Sequence, residues 1–194
     1  MNLGRGRMLA VLTALCGVAA VAVASGCGGT EEETTTNEAG QEATIVVEGE
    51  PLELGDLHFN VAITRFLNPS DIEDAEYLEG LPPTPVNEDY LAVFMTVENK
   101  GDSEVTLPSA SEIEATDIDG QVFEPVDTDS LFALDLGTVL PAGEEAPLPD
   151  SAPASGPVKG SFVLFLIPKE AQELRPIELD ITADGEHGII ELDI

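Results

Sequence analysis

The chain has 194 residues, of which 38 are acidic and 7 are basic, so its formal charge at pH 7 is −31. This length suits one ordinary domain, and a hydrophobic content of 43% is enough for a core, which excludes a wholly disordered chain. The charge excludes unassisted binding to nucleic acid or to anionic lipid headgroups, because binding a polyanion requires Lys and Arg side chains that neutralise phosphates.

The N-terminal segment has the three parts of a secretory signal. Arg5 and Arg7 form a basic start, an apolar run covers residues 8–24, and small residues lead up to Cys27. The run is slightly short for a bilayer span of about 20 residues. An uncleaved N-terminal anchor and an ordinary secreted protein are the alternatives to a lipoprotein signal. All three place the rest of the chain outside the cytoplasm, with the two arginines on the inner side.

Residues 24–27 (ASGC) resemble the lipobox of bacterial lipoproteins, although that family prefers Leu at the first of these positions. The resemblance implies cleavage between Gly26 and Cys27 and attachment of a lipid with palmitate-type acyl chains to the Cys27 thiol. Cys16 would leave with the signal, so the mature chain would have one cysteine and no internal disulfide. Two or three acyl chains give stable anchoring to the cell membrane, whereas one chain would be marginal.

A change in composition divides the chain into three segments. We predict a signal peptide at residues 1–26, a lipidated, acidic, flexible tether at residues 27–43, and a folded domain at residues 44–194. Within residues 28–43 alanine is the only apolar residue type, and five residues are acidic. Such a segment has almost nothing to bury and stays extended and solvated. We expect it to hold the domain away from the membrane on the extracytoplasmic face.

Short apolar runs separated by turn residues recur from Thr44 onward. Residues 57–65 and 90–98 alternate with a period of two, which is typical of strands with one buried face. The first run is expected to bury one set of four side chains: Leu57, Phe59, Val61 and Ile63. Asp119-Gly120 between two strand-like runs predicts a hairpin. Seven to nine short strands with frequent turns predict an all-β fold, an antiparallel β-sandwich.

One connection departs from the strand pattern. Ser70 and Glu73 fit a capping box, in which each side chain accepts a hydrogen bond from the other residue's backbone N–H. Pro82-Pro83 forbids continuation of a helix. We therefore expect a short helix from about Asp71 to Glu79, inside a long connection that spans Asn68–Asp89.

Four turn and strand signatures occur in a fixed order: Tyr90–Val97 with Asn99-Lys100-Gly101-Asp102, Asp117–Phe123, Pro141-Ala142-Gly143-Glu144, and Gly160–Phe165 with Pro168-Lys169. They resemble the telokin-like, immunoglobulin-like domain of unknown function found on many bacterial lipoproteins. The resemblance covers about Leu54–Ile181 and implies an immunoglobulin-like sandwich of two sheets. That family brings no established catalytic residues, so the resemblance implies none here. Members generally have a shorter connection than Asn68–Asp89, whose role the resemblance leaves open.

Asp117 and Asp119, just before Gly120, are the candidate metal ligands. A helix–loop–helix calcium site needs acids at positions one, three and five and Glu at position twelve. Aligning Gly120 with position six places Ala115 at position one and Val126 at position twelve, so the pattern fails at both ends. A hairpin turn with exposed carboxylates is the favoured interpretation, and a looser calcium site built from several loops is the alternative.

The sequence favours a binding protein over an enzyme. His58 and His187 are the only histidines, and a zinc or catalytic site usually needs several His or Cys ligands or a nucleophile near a histidine. We interpret both as solvated or edge residues. The chain also lacks the sequence signatures of α/β-hydrolases, zinc proteases, P-loop proteins and dinucleotide-binding proteins. We therefore expect no enzymatic activity and no cofactor.

Two features bear on partners. Ser161–Ile167 is apolar on both faces, whereas a sandwich strand normally buries one face. Its second face is covered either by the C-terminal run Ile189–Ile194, by the connection Asn68–Asp89, or by a partner. The acidity reflects either adaptation to salty surroundings or recognition of a basic partner or divalent cations. We predict a lipid-anchored binding or scaffolding module that meets an envelope protein, with a calcium-responsive acidic domain as the alternative.

Overall fold

The structure, a computed structural model, describes residues 33–36 and 42–194. Within them it has two short helices, α1 (Ile72–Tyr77) and α2 (Ala152–Ser155), and a 3₁₀ turn at Ala171–Glu173. The strands in chain order are β1 (Glu33–Thr36), β2 (Glu42–Val47), β3 (Pro51–Leu54), β4 (Leu57–Leu67), β5 (Glu88–Asn99), β6 (Val105–Thr106), β7 (Ile113–Thr116), β8 (Val122–Phe123), β9 (Val139–Leu140), β10 (Glu145–Ala146), β11 (Ser161–Pro168), β12 (Ile177–Ala183) and β13 (Glu186–Leu192).

The strands form two main sheets that pack face to face. The first sheet has the order β1-β2-β13-β12-β7-β8, and the second has the order β10-β5-β4-β3, with β11 also paired to β5. Strands β6 and β9 pair separately. The predicted β-sandwich is confirmed, and the predicted Asp-Gly hairpin joins β7 to β8. The named strands of the described residues pair antiparallel except for β2 and β13, which run parallel, and an isolated parallel bridge joins Ala133 to Phe162.

The main core lies between the two sheets. Alternate residues of β5 point into it, namely Leu91, Val93, Met95 and Val97, as their spacing predicts. The first sheet contributes Ile177, Leu179 and Ile181 of β12 from the opposite side. Period-two alternation therefore produces the burial, because successive side chains of a strand point to opposite faces of the sheet.

A β-bulge in β4 changes which residues of that strand face the core. Val61 pairs with Met95, but Ile63 pairs with Phe94, so one extra residue stands between them. Such an insertion moves every later side chain to the other face. The prediction that Ile63 shares the buried face of Phe59 and Val61 is therefore wrong, since Ile63 is 39% exposed.

The long connection covers the outer face of the second sheet. We call residues 68–87, between β4 and β5, the cover segment. Its helix α1 is capped by Asp71, whose carboxylate accepts a hydrogen bond from the N–H of Glu73. The helix therefore begins one residue later and ends two residues earlier than predicted. Ser70 is not its cap: the Ser70 N–H instead donates to the side chain of Asn68.

Tyr77 of the cover segment fills a second core on that outer face. The ring lies edge-on to Phe132, Phe94 and Phe162, with centroid distances of 4.9, 5.1 and 6.0 Å. The second apolar face of β11, which includes Phe162 and Leu164, is thus covered by the connection rather than by a partner. Of the three predicted covers, the cover segment is the one observed, together with Phe132.

A half-buried ion pair holds α1 on the sheet. The bulge places Arg65 on the outer face, where its guanidinium pairs with the carboxylate of Asp74. The same guanidinium lies 5.9 Å from the ring centroids of Tyr77 and Phe94. The second carboxylate oxygen of Asp74 accepts a hydrogen bond from the Asn68 N–H at 2.7 Å. Both oxygens of the buried Asp74 carboxylate are therefore compensated, as burial requires.

The N-terminal edge of the domain differs from the predicted boundary at residue 44. Strand β2 begins at Glu42 and pairs with β13 through Ala43, which is buried. Strand β1 pairs with β2 from within the segment predicted to be a flexible tether. A short run of Thr and Glu can add a strand without any apolar residue because its backbone supplies the hydrogen bonds.

Candidate binding surface

The predicted anchor lies outside the described residues. Cys27, the cleavage site after Gly26 and the apolar run before them all precede residue 33, where the description begins. Within residues 33–36 and 42–194, no helix is both long enough and apolar enough to cross a membrane. Lipidation and signal cleavage therefore stay predictions of the sequence.

Asp117 has a structural role in the β7–β8 turn. It is buried, and one of its carboxylate oxygens accepts hydrogen bonds from the N–H groups of Asp119 and Gln121, at 3.0 and 2.9 Å. Asp119 is exposed. In the described part of the chain, no three His, Cys, Asp or Glu residues converge as metal ligands would. A looser calcium site built from several loops stays the alternative interpretation, and the turn itself already employs one oxygen of the Asp117 carboxylate.

The two histidines lie half-buried beside carboxylates on different strands. His58 Nδ1 is 3.4 Å from a Glu53 carboxylate oxygen across the β3–β4 pair. His187 Nε2 is 3.3 Å from a carboxylate oxygen of Asp180. Both histidines lie on strands with about a quarter of the side chain exposed, and their interpretation as solvated or edge residues stays a prediction.

Acidic side chains line the outer face of β12 and β13. Glu178 stands opposite Glu191 in the register of these strands, and Asp180 is two residues further along the same face. Burial raises the pKa of the Glu178 carboxyl above its ordinary value of 4.5, and the charges of Asp180 and Glu191 raise it further. Like charges placed directly opposite each other on a sheet destabilise it by about 0.2–1 kcal/mol.

This raised pKa has a measurable consequence. A group whose folded pKa exceeds its unfolded pKa stabilises the fold at low pH and loses that contribution as pH rises through the folded pKa. We expect Glu178→Gln to raise the melting temperature by about 1–4 °C at pH 7, with the gain shrinking toward pH 4. Circular dichroism melts at both pH values measure the difference, and Glu79→Gln on the exposed surface is the control. A gain that is absent, or equal at both pH values, would contradict the assignment.

Charge is distributed unevenly along the domain. Between residues 101 and 158 there are 13 acidic residues and no Lys, Arg or His. The ion pairs of the described residues all lie outside this base-free segment: His58–Glu53, Arg65–Asp74, Lys100–Glu98, Lys169–Asp89 and His187–Asp180. The carboxylates of this base-free segment therefore have no ion-pair partners among the described residues.

A groove of about 290 Å³ is lined almost entirely by residues of this base-free segment. Its apolar walls include Leu131, Val139 and Leu148, whose exposed fractions are 81%, 54% and 56%. Carboxylates of Asp135, Glu144 and Glu145 stand along the same groove. The residues that line it include no Lys, Arg or His. Exposed leucines are costly in water, so three large apolar side chains around one depression indicate a contact surface.

A buried side chain supports one wall of the groove. Asn99, at the end of β5, is fully buried, and its amide nitrogen donates to the carbonyls of Ser103 and Leu140, at 2.8 and 2.9 Å. Its side-chain oxygen accepts from the N–H of Gly101 at 3.0 Å. Because Leu140 lines the groove, this one side chain ties the end of β5 to the groove wall.

Lys100 and Lys159, which flank the base-free segment in sequence, are not among the groove residues. Glu145 of β10 pairs with Glu98 of β5, and the Glu98 carboxylate is already paired with Lys100. Lys159 is exposed and is not among the lining residues. A neighbouring cavity of about 380 Å³ shares Leu134 and Asp135 with the groove. None of the large exposed hydrophobic side chains lines that cavity, so the groove is the stronger candidate.

Sequence reasoning did not single out this surface. Leu131 and Val139 lie in short apolar runs, residues 131–134 and 138–140, and a strand there would be expected to bury alternate residues. The structure has no strand at residues 131–134, where Phe132 turns inward and Leu131 outward. The sequence offers one signal, the absence of bases across residues 101–158. It identifies an acidic segment but does not show that this segment forms a groove.

No family model matches the chain, and no curated protein matches it either. Solved structures of bacterial proteins do match. The yjhA protein from Bacillus subtilis aligns with a TM-score of 0.50 at 16% identity, over 76% of this chain and 99% of that one. An uncharacterized β-sandwich protein from Clostridium difficile aligns at 0.48 and 18% identity, over 79% and 96%. A secreted protein from Mycobacterium tuberculosis aligns at 0.49 and 16% identity, over 77% and 97%. At these identities the likeness concerns the fold alone.

Proposed function

We propose that this protein is a lipoprotein, anchored through Cys27 at the extracytoplasmic face of the cell membrane, whose sandwich binds or scaffolds another envelope protein. The observation that carries the proposal is the apolar run of residues 8–24, which leads through Ser25 and Gly26 to Cys27, ahead of a β-sandwich with an exposed groove. The resemblance to the immunoglobulin-like domain of bacterial lipoproteins supports the same assignment. A sandwich on a lipidated tether is suited to binding other envelope components, because its loops and edges are free for contact.

Binding, rather than catalysis, is the activity that this surface supports. Catalysis needs converging groups with matched protonation states, such as a nucleophile beside a base. The groove presents leucines, a valine and carboxylates, which bind by burial and charge attraction. We propose no cofactor for this activity.

Cys27→Ser tests the anchor. Serine lacks the thiol that accepts the lipid, so we expect the variant to lose all labelling by radioactive palmitate and to keep its signal peptide. Cys16→Ser is the matched control, because that residue lies within the apolar run and takes no part in lipidation. Labelling of Cys27→Ser at the level of the unmodified chain would overturn the proposal, as would loss of labelling in Cys16→Ser alone.

A further inference from the structure

We propose that the groove is a docking site for a basic peptide segment with apolar side chains, presented by a partner protein. This inference rests on the proposed function and names its partner class. The groove combines exposed Leu131, Val139 and Leu148 with the carboxylates of Asp135, Glu144 and Glu145. An occupant that complements it places apolar side chains between the walls and Lys or Arg beside the carboxylates.

The volume limits what the groove can take. About 290 Å³ lies at the lower edge of the range of about 300–1,000 Å³ that holds a whole small-molecule ligand. It suits one or two apolar side chains of a peptide, which act as anchors while the rest of the segment lies outside. Anchors of this kind supply most of the binding energy at protein interfaces.

Charge decides between occupants. A second copy of this chain would bring a net charge of −31 to a groove that already holds unneutralised carboxylates, so self-association is opposed. Anionic lipid and nucleic acid are opposed for the same reason. A basic segment is attracted, and at an interface charge complementarity contributes chiefly to partner choice and to the rate of association.

Because the whole protein is acidic, a basic peptide could bind anywhere on its surface, and the test must separate binding at the groove from general charge attraction. The probe is a fluorescein-labelled peptide of eight residues in which four lysines alternate with two leucines and two serines. Fluorescence anisotropy follows its binding to the full chain in nonionic detergent, with empty micelles as the blank. A second peptide has serine in place of both leucines and carries the same charge. We expect saturable binding of the first peptide and at least tenfold weaker binding of the second.

Two pairs of variants locate the binding. The double variant Leu131→Lys, Leu148→Lys should bind the first peptide, which contains the leucines, at least tenfold more weakly. The control, Ile72→Lys with Val86→Lys, makes the same charge change at apolar residues that are 90% and 88% exposed and do not line the groove. It should weaken binding less than threefold.

A second set covers the case in which the lysine variants do not fold. Glu144→Gln with Glu145→Gln keeps the side-chain shapes and should weaken binding about three- to tenfold in 0.05 M NaCl. Glu76→Gln with Glu79→Gln on the cover segment is its control.

The assignment would be overturned if the groove variants and the control variants weakened binding equally, or if the two peptides bound with equal affinity. Either result would show that the peptide is attracted by the charge of the protein and not bound at the groove. If the peptide does not bind at the groove but Cys27 is still labelled by palmitate, the proposed function stands without the groove. Groove binding by a chain that takes no lipid would instead overturn the anchor and keep the groove.

Discussion

Tyr77→Ala is expected to lower the free energy of unfolding by about 3–5 kcal/mol, the usual cost of deleting a buried aromatic side chain. Tyr77 is 1% exposed, and its ring lies against Phe132, Phe94 and Phe162. It also lies under the guanidinium of Arg65. Loss of the ring opens a cavity between the cover segment and the second sheet, which the short helix α1 cannot close. Urea unfolding measures the loss, and limited proteolysis should then cut within residues 68–87.

Tyr77→Phe is the matched control, because it keeps the ring and removes only the hydroxyl. That hydroxyl is buried near the backbone of Val158 but makes no hydrogen bond of good geometry within the described residues. Burial raises the pKa of this hydroxyl above 10.0, because the charged form is poorly solvated there. Removing an unsatisfied buried polar group costs little or stabilises, so we expect a change within about 1 kcal/mol. If Tyr77→Ala were as mild as Tyr77→Phe, the cover segment would not be part of the folded core.

Asn99→Ala is expected to cost about 2–4 kcal/mol. Its amide satisfies the carbonyls of Ser103 and Leu140 and the N–H of Gly101, and each buried group left without a partner costs about 1–3 kcal/mol. Because the same side chain fixes the groove wall, the variant should also bind the leucine peptide more weakly. Urea unfolding and fluorescence anisotropy measure the two effects.

Asn99→Asp distinguishes hydrogen bonding from packing at this position. The aspartate has almost the same shape, but its ionised carboxylate cannot donate to the carbonyls that face it. We expect a loss at pH 7 at least as large as that of Asn99→Ala. The loss should shrink as pH falls and the carboxyl gains a proton, since burial and neighbouring acceptors raise its folded pKa. A loss that does not vary with pH would contradict the view that an ionised carboxylate facing these carbonyls causes it.

Periodicity in the sequence predicts the sandwich, and it predicts individual buried faces where strands are regular. The four residues of β5 that the pattern assigns to the core are all there. It fails at Ile63 because a one-residue bulge leaves the sequence alternation intact while reversing the faces. The Ala43 edge was missed for a different reason: strand pairing by backbone groups needs no apolar residue and leaves little trace in composition.

The cover segment illustrates what local signals can and cannot give. The turn and capping residues predict a short helix in the connection, and one is present. Its docking depends on Arg65 and Asp74, which meet only because the bulge turns Arg65 outward. The groove is harder still to foresee, since its leucines come from irregular segments whose exposure is decided by the tertiary fold.

Site-specific photo-cross-linking in intact cells tests the central claim most directly, namely that an anchored sandwich binds a basic partner through its groove. A photoreactive side chain replaces Leu148 in one chain and Val86 in the control. We predict that the chain altered at Leu148 gives a discrete adduct. Mass spectrometry should place its cross-link in a Lys- or Arg-rich segment of another envelope protein. Addition of Glu144→Gln and Glu145→Gln should remove the adduct, and the chain altered at Val86 should give none. No adduct from Leu148, or the same adduct from both positions, would contradict the account.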